Sequence, residues 1–120
     1  MTIREASGAL GAEILHDEFE DSELSGAYTS DLLSDVMAHA ARGDAKDGGA
    51  LITIQAHKNT VAVATLVNIS VIIICNNRPI PDDMLAAAKE EGIAVLLTKE
   101  NQFTVSGKLY GLFNQQTGRM

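Results

Sequence analysis

Three cations stand beside hydrogen-bonding side chains where this chain turns. They are Lys58 in Gln55-Ala56-His57-Lys58-Asn59, Arg78 in Asn76-Asn77-Arg78, and Lys99 in Thr98-Lys99-Glu100-Asn101. A fourth segment, Thr29-Ser30-Asp31, offers hydroxyls and a carboxylate. Lysine and arginine would supply charge to an anion, histidine and asparagine would orient it by directional hydrogen bonds, and Asp31 would cap a helix or accept a proton donor. Each segment reads as a helix start, where the helix dipole normally selects against cations. Cations placed there, beside open backbone N–H groups, are what a phosphate site uses. The candidate ligand-binding set is therefore Asp31, His57, Lys58, Asn76, Asn77, Arg78 and Lys99. Solvated loop cations and ordinary cap residues (Asp31, Asn59, Asp82, Asn101) account for the same residues without a ligand, so both readings stand at this level.

Other chemistry is thinly represented. His16 and His39 lie apart from His57 and form no metal set with it, and no zinc-ligand pairs occur. The glycines match neither a phosphate-loop nor a dinucleotide pattern, and no G-x-S-x-G or other nucleophile–base–acid spacing occurs. Cys75 ends an apolar run, which makes inert packing its first role and a reactive thiol the alternative. Met37 and Met84 read as core filler. No catalytic residue, metal or cofactor is assigned. An enzyme built on Cys75 or His57 ranks below a binding function, because a nucleophile needs a positioned partner.

The elements that must position these residues follow from composition and periodicity. The chain has 120 residues, 46% hydrophobic and 21% charged, which is globular composition for one domain spanning 1–120. Nine Lys and Arg against sixteen Asp and Glu leave a net charge of −7, which argues against nucleic-acid binding. Apolar runs such as Val71 to Cys75 are far too short to cross a bilayer. The start, Met1 to Leu10, lacks the basic and apolar regions of a signal peptide, and the single cysteine excludes an internal disulfide; a cytoplasmic setting is expected.

Thr2-Ile3-Arg4-Glu5 carries the capping-box pattern and predicts a helix from Ile3 to about Leu10, ended by Gly11. Glu13 to His16 is a brief strand, and the acidic stretch Asp17 to Glu23 a solvated loop. Then a unit repeats. Gly26–Thr29 is a strand, Ser30-Asp31 caps a helix to about Ala40 with Leu32, Leu33, Val36, Met37 and Ala40 as its apolar stripe, and Arg42–Gly49 is a connection. Ala50–Ile54 is the next strand, with Asn59-Thr60 capping a helix through Val67. Val71–Cys75 is apolar on both faces, as a central strand requires. Asn76–Pro79 turn, Pro81 opens a helix that stops at Gly92, and Ile93–Leu97 is the last strand. Asn101 caps a final helix carrying Phe103, Val105, Leu109, Leu112 and Phe113, with a frayed tail from Gln115 to Met120. Strands alternating with short helices predict a three-layer α/β/α domain with a largely parallel sheet of about five strands. In such a sheet all four polar segments fall at the carboxyl ends of strands, on one rim.

These residues also resemble a known family. Gly26-Ala27-Tyr28-Thr29-Ser30-Asp31-Leu32-Leu33-Ser34-Asp35-Val36-Met37 is similar to the start of DRTGG domains. Ile52-Thr53-Ile54-Gln55-Ala56-His57-Lys58-Asn59 and its following Val61-Ala62-Val63-Ala64 continue the likeness, as do Asn76-Asn77-Arg78-Pro79 and Gly92 to Thr98. The resemblance covers nearly the whole chain and rests on the order of segments rather than on one motif. It implies kinship with the N-terminal domain of HPr kinase/phosphorylase and with domains that accompany CBS-domain pyrophosphatases and some phosphotransacetylases, where they look regulatory or dimerising. Stand-alone members stand beside genes for iron-only hydrogenase systems and signalling kinases, which implies a regulatory protein partner.

Two departures bear on any ligand. Lys58 stands where Arg is usual, which keeps the charge and loses the planar fork. Cys75-Asn76-Asn77 occupies the place of Thr-Gly-Gly; asparagine tolerates left-handed backbone, so the turn survives, but its side chains narrow the space above it. The leading expectation is a non-catalytic regulatory module that forms a homodimer, for which Leu109, Leu112 and Phe113 near Tyr110 are available. The alternative is a sensor of a nucleotide or phosphorylated metabolite, binding its small anionic ligand at the rim.

Overall fold

Val71 and Ile73 point to one side of a strand and Ile72 and Ile74 to the other, and all four are fully buried. A strand of that kind is stable only when helices cover both faces of its sheet. The computed structural model, which describes residues 1–40, 45 and 47–116, has that arrangement. Its elements run α1 (Ile3–Leu10), β1 (Glu13–Ile14), β2 (Ala27–Thr29), α2 (Leu33–His39), β3 (Ala50–Thr53), α3 (Lys58–Leu66), β4 (Val71–Ile74), α4 (Asp82–Glu91), β5 (Ala94–Leu97) and α5 (Gln102–Gln116). The sheet order is β1-β5-β4-β3-β2. Strands β2 to β5 are parallel, and β1 pairs antiparallel with β5, Glu13 opposite Leu97. The expected three-layer α/β/α architecture is the one observed.

The parallel strands follow one another in chain order, so each crossover steps the same way along the sheet and its helix falls on the same face. There α2, α3 and α4 cover Leu51, Ile72, Ile74 and Val95 with Val36, Val61, Ala64, Met84 and Ala88. On the other face α1 and α5 cover Ala50, Ile52, Val71, Ile73 and Leu96 with Ile3, Leu10, Val105 and Leu109. Burying a side chain of this size contributes about 1.5–3 kcal/mol. That gain overrides the weak helix propensity of the valines in α3.

Local signals fix most ends. Thr2 and Glu5 form the reciprocal capping box of α1, and Gly11 and Gly92 close α1 and α4 in the left-handed conformation that glycine adopts without strain. Asn101 Oδ1 accepts from the Thr104 N–H at 2.9 Å and caps α5. Three expectations shift. The N-cap of α2 is Leu32, with no side-chain cap; the Ser30 hydroxyl instead accepts from the Leu32 N–H at 3.2 Å. The cap of α3 is His57 rather than Asn59-Thr60. Pro81 is the N-cap of α4 rather than its first residue.

The acidic stretch after β1 is more than a solvated loop. Asp21 Oδ1 accepts from the Arg4 N–H at 2.9 Å, completing the start of α1, and Asp17 pairs with the Arg4 guanidinium at 3.3 Å. That guanidinium lies 4.9 Å over the Phe19 ring, which meets His16 edge-on at 5.8 Å. His16 is buried, with Nε2 2.7 Å from the Ile93 carbonyl and Nδ1 accepting from the Glu18 N–H at 2.9 Å. One nitrogen must donate and the other accept, so this histidine is the neutral Nε2–H tautomer. It latches the acidic loop to the α4–β5 junction. Part of the expected Arg42–Gly49 connection, and the end of the expected frayed tail, lie outside the described residues; α5 itself continues to Gln116.

Candidate functional site

Asp31 follows β2, His57 and Lys58 follow β3, Asn76, Asn77 and Arg78 follow β4, and Lys99 follows β5. The parallel sheet therefore brings all seven sequence-predicted residues to one rim, and all seven are exposed. Main-chain and side-chain hydrogen bonds stitch the four loops into one surface. Gln55 Nε2 donates to the Asp31 carbonyl at 2.8 Å, tying the β2 and β3 loops. The Cys75 N–H donates to the Thr53 carbonyl at 2.9 Å, tying β4 to β3.

The β4 turn is built as its asparagines imply, with φ of 60° at Asn76 and 49° at Asn77. Its amides are not open to a ligand. The Asn76 N–H donates to the Glu100 carbonyl at 2.9 Å and the Asn77 N–H to the Thr98 carbonyl at 2.8 Å. His57 is also occupied on one side, since its Nδ1 accepts from the Asn59 N–H at 3.1 Å as the cap of α3. Lys58 is the first residue of α3, whose first turn holds no acidic residue. The rim is not uniformly basic, because Asp82 and Asp83 open α4 on the same edge. Asp31 enters this network through its carbonyl rather than through a side-chain cap.

Cys75, at the head of the same turn, is fully buried. Desolvation pushes its thiol from 9.0 up to about 11, so at neutral pH it is a protonated packing group. Among the described residues no group of three His, Cys, Asp or Glu is placed to hold a metal ion, and no helix is long and apolar enough to cross a membrane.

A second feature lies under the sheet edge, on the helix whose Leu109, Leu112 and Phe113 near Tyr110 the sequence offers as an interface; Leu109 is instead buried in the core, while Tyr110 is exposed. Helix α5 leaves β5 and returns beneath β3 and β2. Between it and β2 runs a groove of about 710 Å³ lined by residues 25–27, Thr29, Ile52 and one flank of α5. Phe103 and Tyr110 flank it at 87% and 71% exposure. Phe103 was expected in the apolar stripe; the inward face is instead Val105 and Leu109, with Leu112 and Phe113 half-buried. Met37 is likewise exposed, whereas Met84 is fully buried as expected. One signal of the outer stripe was present in the sequence. Phe103, Gly107, Tyr110 and Asn114 recur at helical spacing, and Lys108 is the only charged residue of Gln102–Gln116.

The edge itself is held from both faces. The Ser106 hydroxyl donates to the Gln102 carbonyl at 2.6 Å, so Thr29 must be the donor in its 2.6 Å contact with Ser106. On the opposite face the Tyr28 hydroxyl donates to Asp35 Oδ2 at 2.8 Å. That bond raises the Tyr28 hydroxyl and, with Ser30, lowers the Asp35 carboxyl.

Among solved structures, the fold is similar to the CBS and DRTGG domains of the regulatory region of Clostridium perfringens pyrophosphatase, a structure complexed with its activator diadenosine tetraphosphate. The TM-score is 0.69 at 15% identity. The likeness covers 90% of this chain and 45% of that one, so this chain spans about half the length of its structural neighbour. The shared fold is consistent with the DRTGG-like order of segments in the sequence. No family model matches the sequence, and no curated protein matches it.

Proposed function

We propose that this protein is a non-catalytic regulatory module that acts by binding and by self-association through the face formed by β2 and α5. The observation that carries the reading is the pair of exposed rings, Phe103 and Tyr110, bordering an apolar groove on a helix with one charged residue. Interfaces are depleted of charge at their centre and anchored by buried aromatic rings. The fold neighbour supports a regulatory reading, since it is the regulatory region of an enzyme rather than its catalytic part. The protonated, buried Cys75 and the cap role of His57 support a non-catalytic one. A kinase- or hydrogenase-linked protein in the cytoplasm is the regulated partner that the family resemblance implies.

Sedimentation velocity over a wide concentration range tests self-association. The native chain is expected to dimerise. Truncating an interface aromatic costs about 2 kcal/mol or more, so Phe103→Ser with Tyr110→Ser is expected to weaken the dimer at least about 100-fold. A native chain that stays monomeric at high concentration refutes the reading.

A second reading, an anionic ligand at the rim, draws on Lys58 at the uncompensated start of α3, with Arg78 and Lys99 on the same edge. The nucleotide activator of the fold neighbour makes nucleotides the first ligands to try. A thermal-shift screen with nucleotides and sugar phosphates decides it. Stabilisation that disappears in Lys58→Ala and Arg78→Ala supports the rim, and equal shifts in native and variant chains refute it.

A further inference from the structure

Backbone polar groups alternate sides along a strand, so the β2–β3 ladder determines which groups of β2 face outward. The Gly26 carbonyl accepts from the Ala50 N–H at 2.9 Å, and the Ser30 N–H donates to the Ile52 carbonyl at 3.1 Å. With Ala27 opposite Ala50, residues 26, 28 and 30 turn their backbone groups toward β3. Ala27 and Thr29 turn theirs away, and β2 is the last strand of the sheet on that side.

Sheets usually protect such an edge with lysine, proline, a bulge or extreme shortness. Both edge strands are short, two residues in β1 and three in β2, and they differ in charge: β1 carries Glu13. Residues 25–30 read Ser-Gly-Ala-Tyr-Thr-Ser, with no charge and no proline. The edge is also pre-ordered, by Thr29 to Ser106 below and Tyr28 to Asp35 above.

Resting on the self-association reading, we infer that a second copy of this chain pairs along β2, antiparallel, about a two-fold axis at Tyr28, and so joins the two sheets into one of ten strands. The pattern is self-complementary. Ala27 of one copy lies opposite Thr29 of the other, each pair exchanges two N–H···O bonds, and the symmetric pair repeats them, closing all four outward groups. A two-fold perpendicular to the sheet keeps both α5 helices on the same face. They flank the seam antiparallel, and the rings of each approach the other's groove.

The area is of the right order. At aromatic side-chain areas of about 200 Å² each, the exposed parts of Phe103 and Tyr110 offer about 300 Å² per copy. That is more than a third of the roughly 800 Å² per partner that a stable dimer needs, and α5, about 22 Å long, runs beside the β2 edge where further contact would have to form.

Two measurements test the register. At the axis Tyr28 meets Tyr28 of the second copy in a non-hydrogen-bonded pair, with Cα atoms about 4.5 Å apart, within disulfide range. Tyr28→Cys is expected to form an interchain disulfide rapidly under mild oxidation, while Met37→Cys, exposed on α2, does not. In the native chain, exchange of the Ala27 and Thr29 amides is expected to slow as concentration rises; this readout needs no variant. Dimers in sedimentation with no preferential Tyr28→Cys cross-link and no concentration-dependent protection overturn the strand pairing but leave self-association intact. A chain monomeric at every concentration overturns both, and leaves the edge to a different extended peptide.

Discussion

Removing the thiol of Cys75 is expected to invert the stability order of two proteins as pH rises. Cys75 sits at the joint of β4 and the Asn76-Asn77 turn, fully buried, with its N–H bonded to Thr53 and its sulfur 3.9 Å from the Ile73 carbonyl. Burial raises the folded thiol from 9.0 to about 11. A group raised in this way contributes its full stability below the unfolded value and loses it as pH climbs toward the folded one. A rise of that size corresponds to about 3 kcal/mol between the two limits, of which about 2 kcal/mol is lost by pH 11. Cys75→Ala forfeits packing worth about 1 kcal/mol at every pH but carries no ionisable group. Urea unfolding followed by circular dichroism is therefore expected to place the native chain about 1 kcal/mol above the variant near pH 8, and about 1 kcal/mol below it near pH 11. Tyr28, raised by Asp35, titrates in the same direction but is common to both proteins, so it cancels in the difference. Alkylation of the folded native chain near pH 8 is expected to run at least about 100-fold slower than that of a free thiol. Parallel pH profiles for the two proteins, or rapid alkylation, refute the reasoning and reopen Cys75 as a reactive group.

Asn77→Ala is expected to destabilise by about 1 kcal/mol, because alanine meets the left-handed backbone less readily than asparagine. Asn77→Gly is expected to be neutral or slightly stabilising, and thermal melts of the two compared with the native chain check both. His16→Ala leaves the Ile93 carbonyl and the Glu18 N–H without their partner. A cost of about 2–3 kcal/mol is expected, together with faster amide exchange across residues 13–24, as the latch on the acidic loop opens.

Where the chemistry is local, the sequence was readable. Thr2 with Glu5, Gly11 and Gly92, and Asn101 each act within a turn of themselves, and the structure places each in the role its type implies. Strands β3, β4 and β5 fall within one residue of their apolar runs. Legibility ends where one element must know the position of another. Helix α5 carries apolar residues on several flanks, so periodicity alone leaves its inward face open. Only the return of α5 beneath β2 and β3 turns Val105 and Leu109 inward and strands Phe103. His57 escaped as a cap because histidine is outside the usual set of Ser, Thr, Asp and Asn, although its Nδ1 serves the same geometry. Asp17 and Asp21 looked merely hydrated because their partner, Arg4, lies more than ten residues away. The seven rim residues share one edge for a different reason: parallel strands force that placement whatever their side chains do, and it assigns them no ligand.

The strand order also bears on where recognition can occur. In an open α/β sheet the ligand crevice forms where successive connections leave for opposite faces. Here β2, β3 and β4 all connect through the same face, and only the chain leaving β5 departs to the other. The crevice would therefore open between the ends of β4 and β5. That is where Asn76 and Asn77 spend their amides on Glu100 and Thr98. A ligand entering there must displace main-chain bonds or rely on side-chain charge alone, and Asp82 and Asp83 oppose an anion on the same edge. At β2 the balance is reversed. Ala27 and Thr29 turn their backbone groups away from β3, beside the rings of Phe103 and Tyr110, which are exposed among the described residues. Pairing along β2, as proposed, would exchange water for a backbone partner, whereas a ligand at the β4–β5 crevice would break the bonds of Asn76 and Asn77 to Glu100 and Thr98.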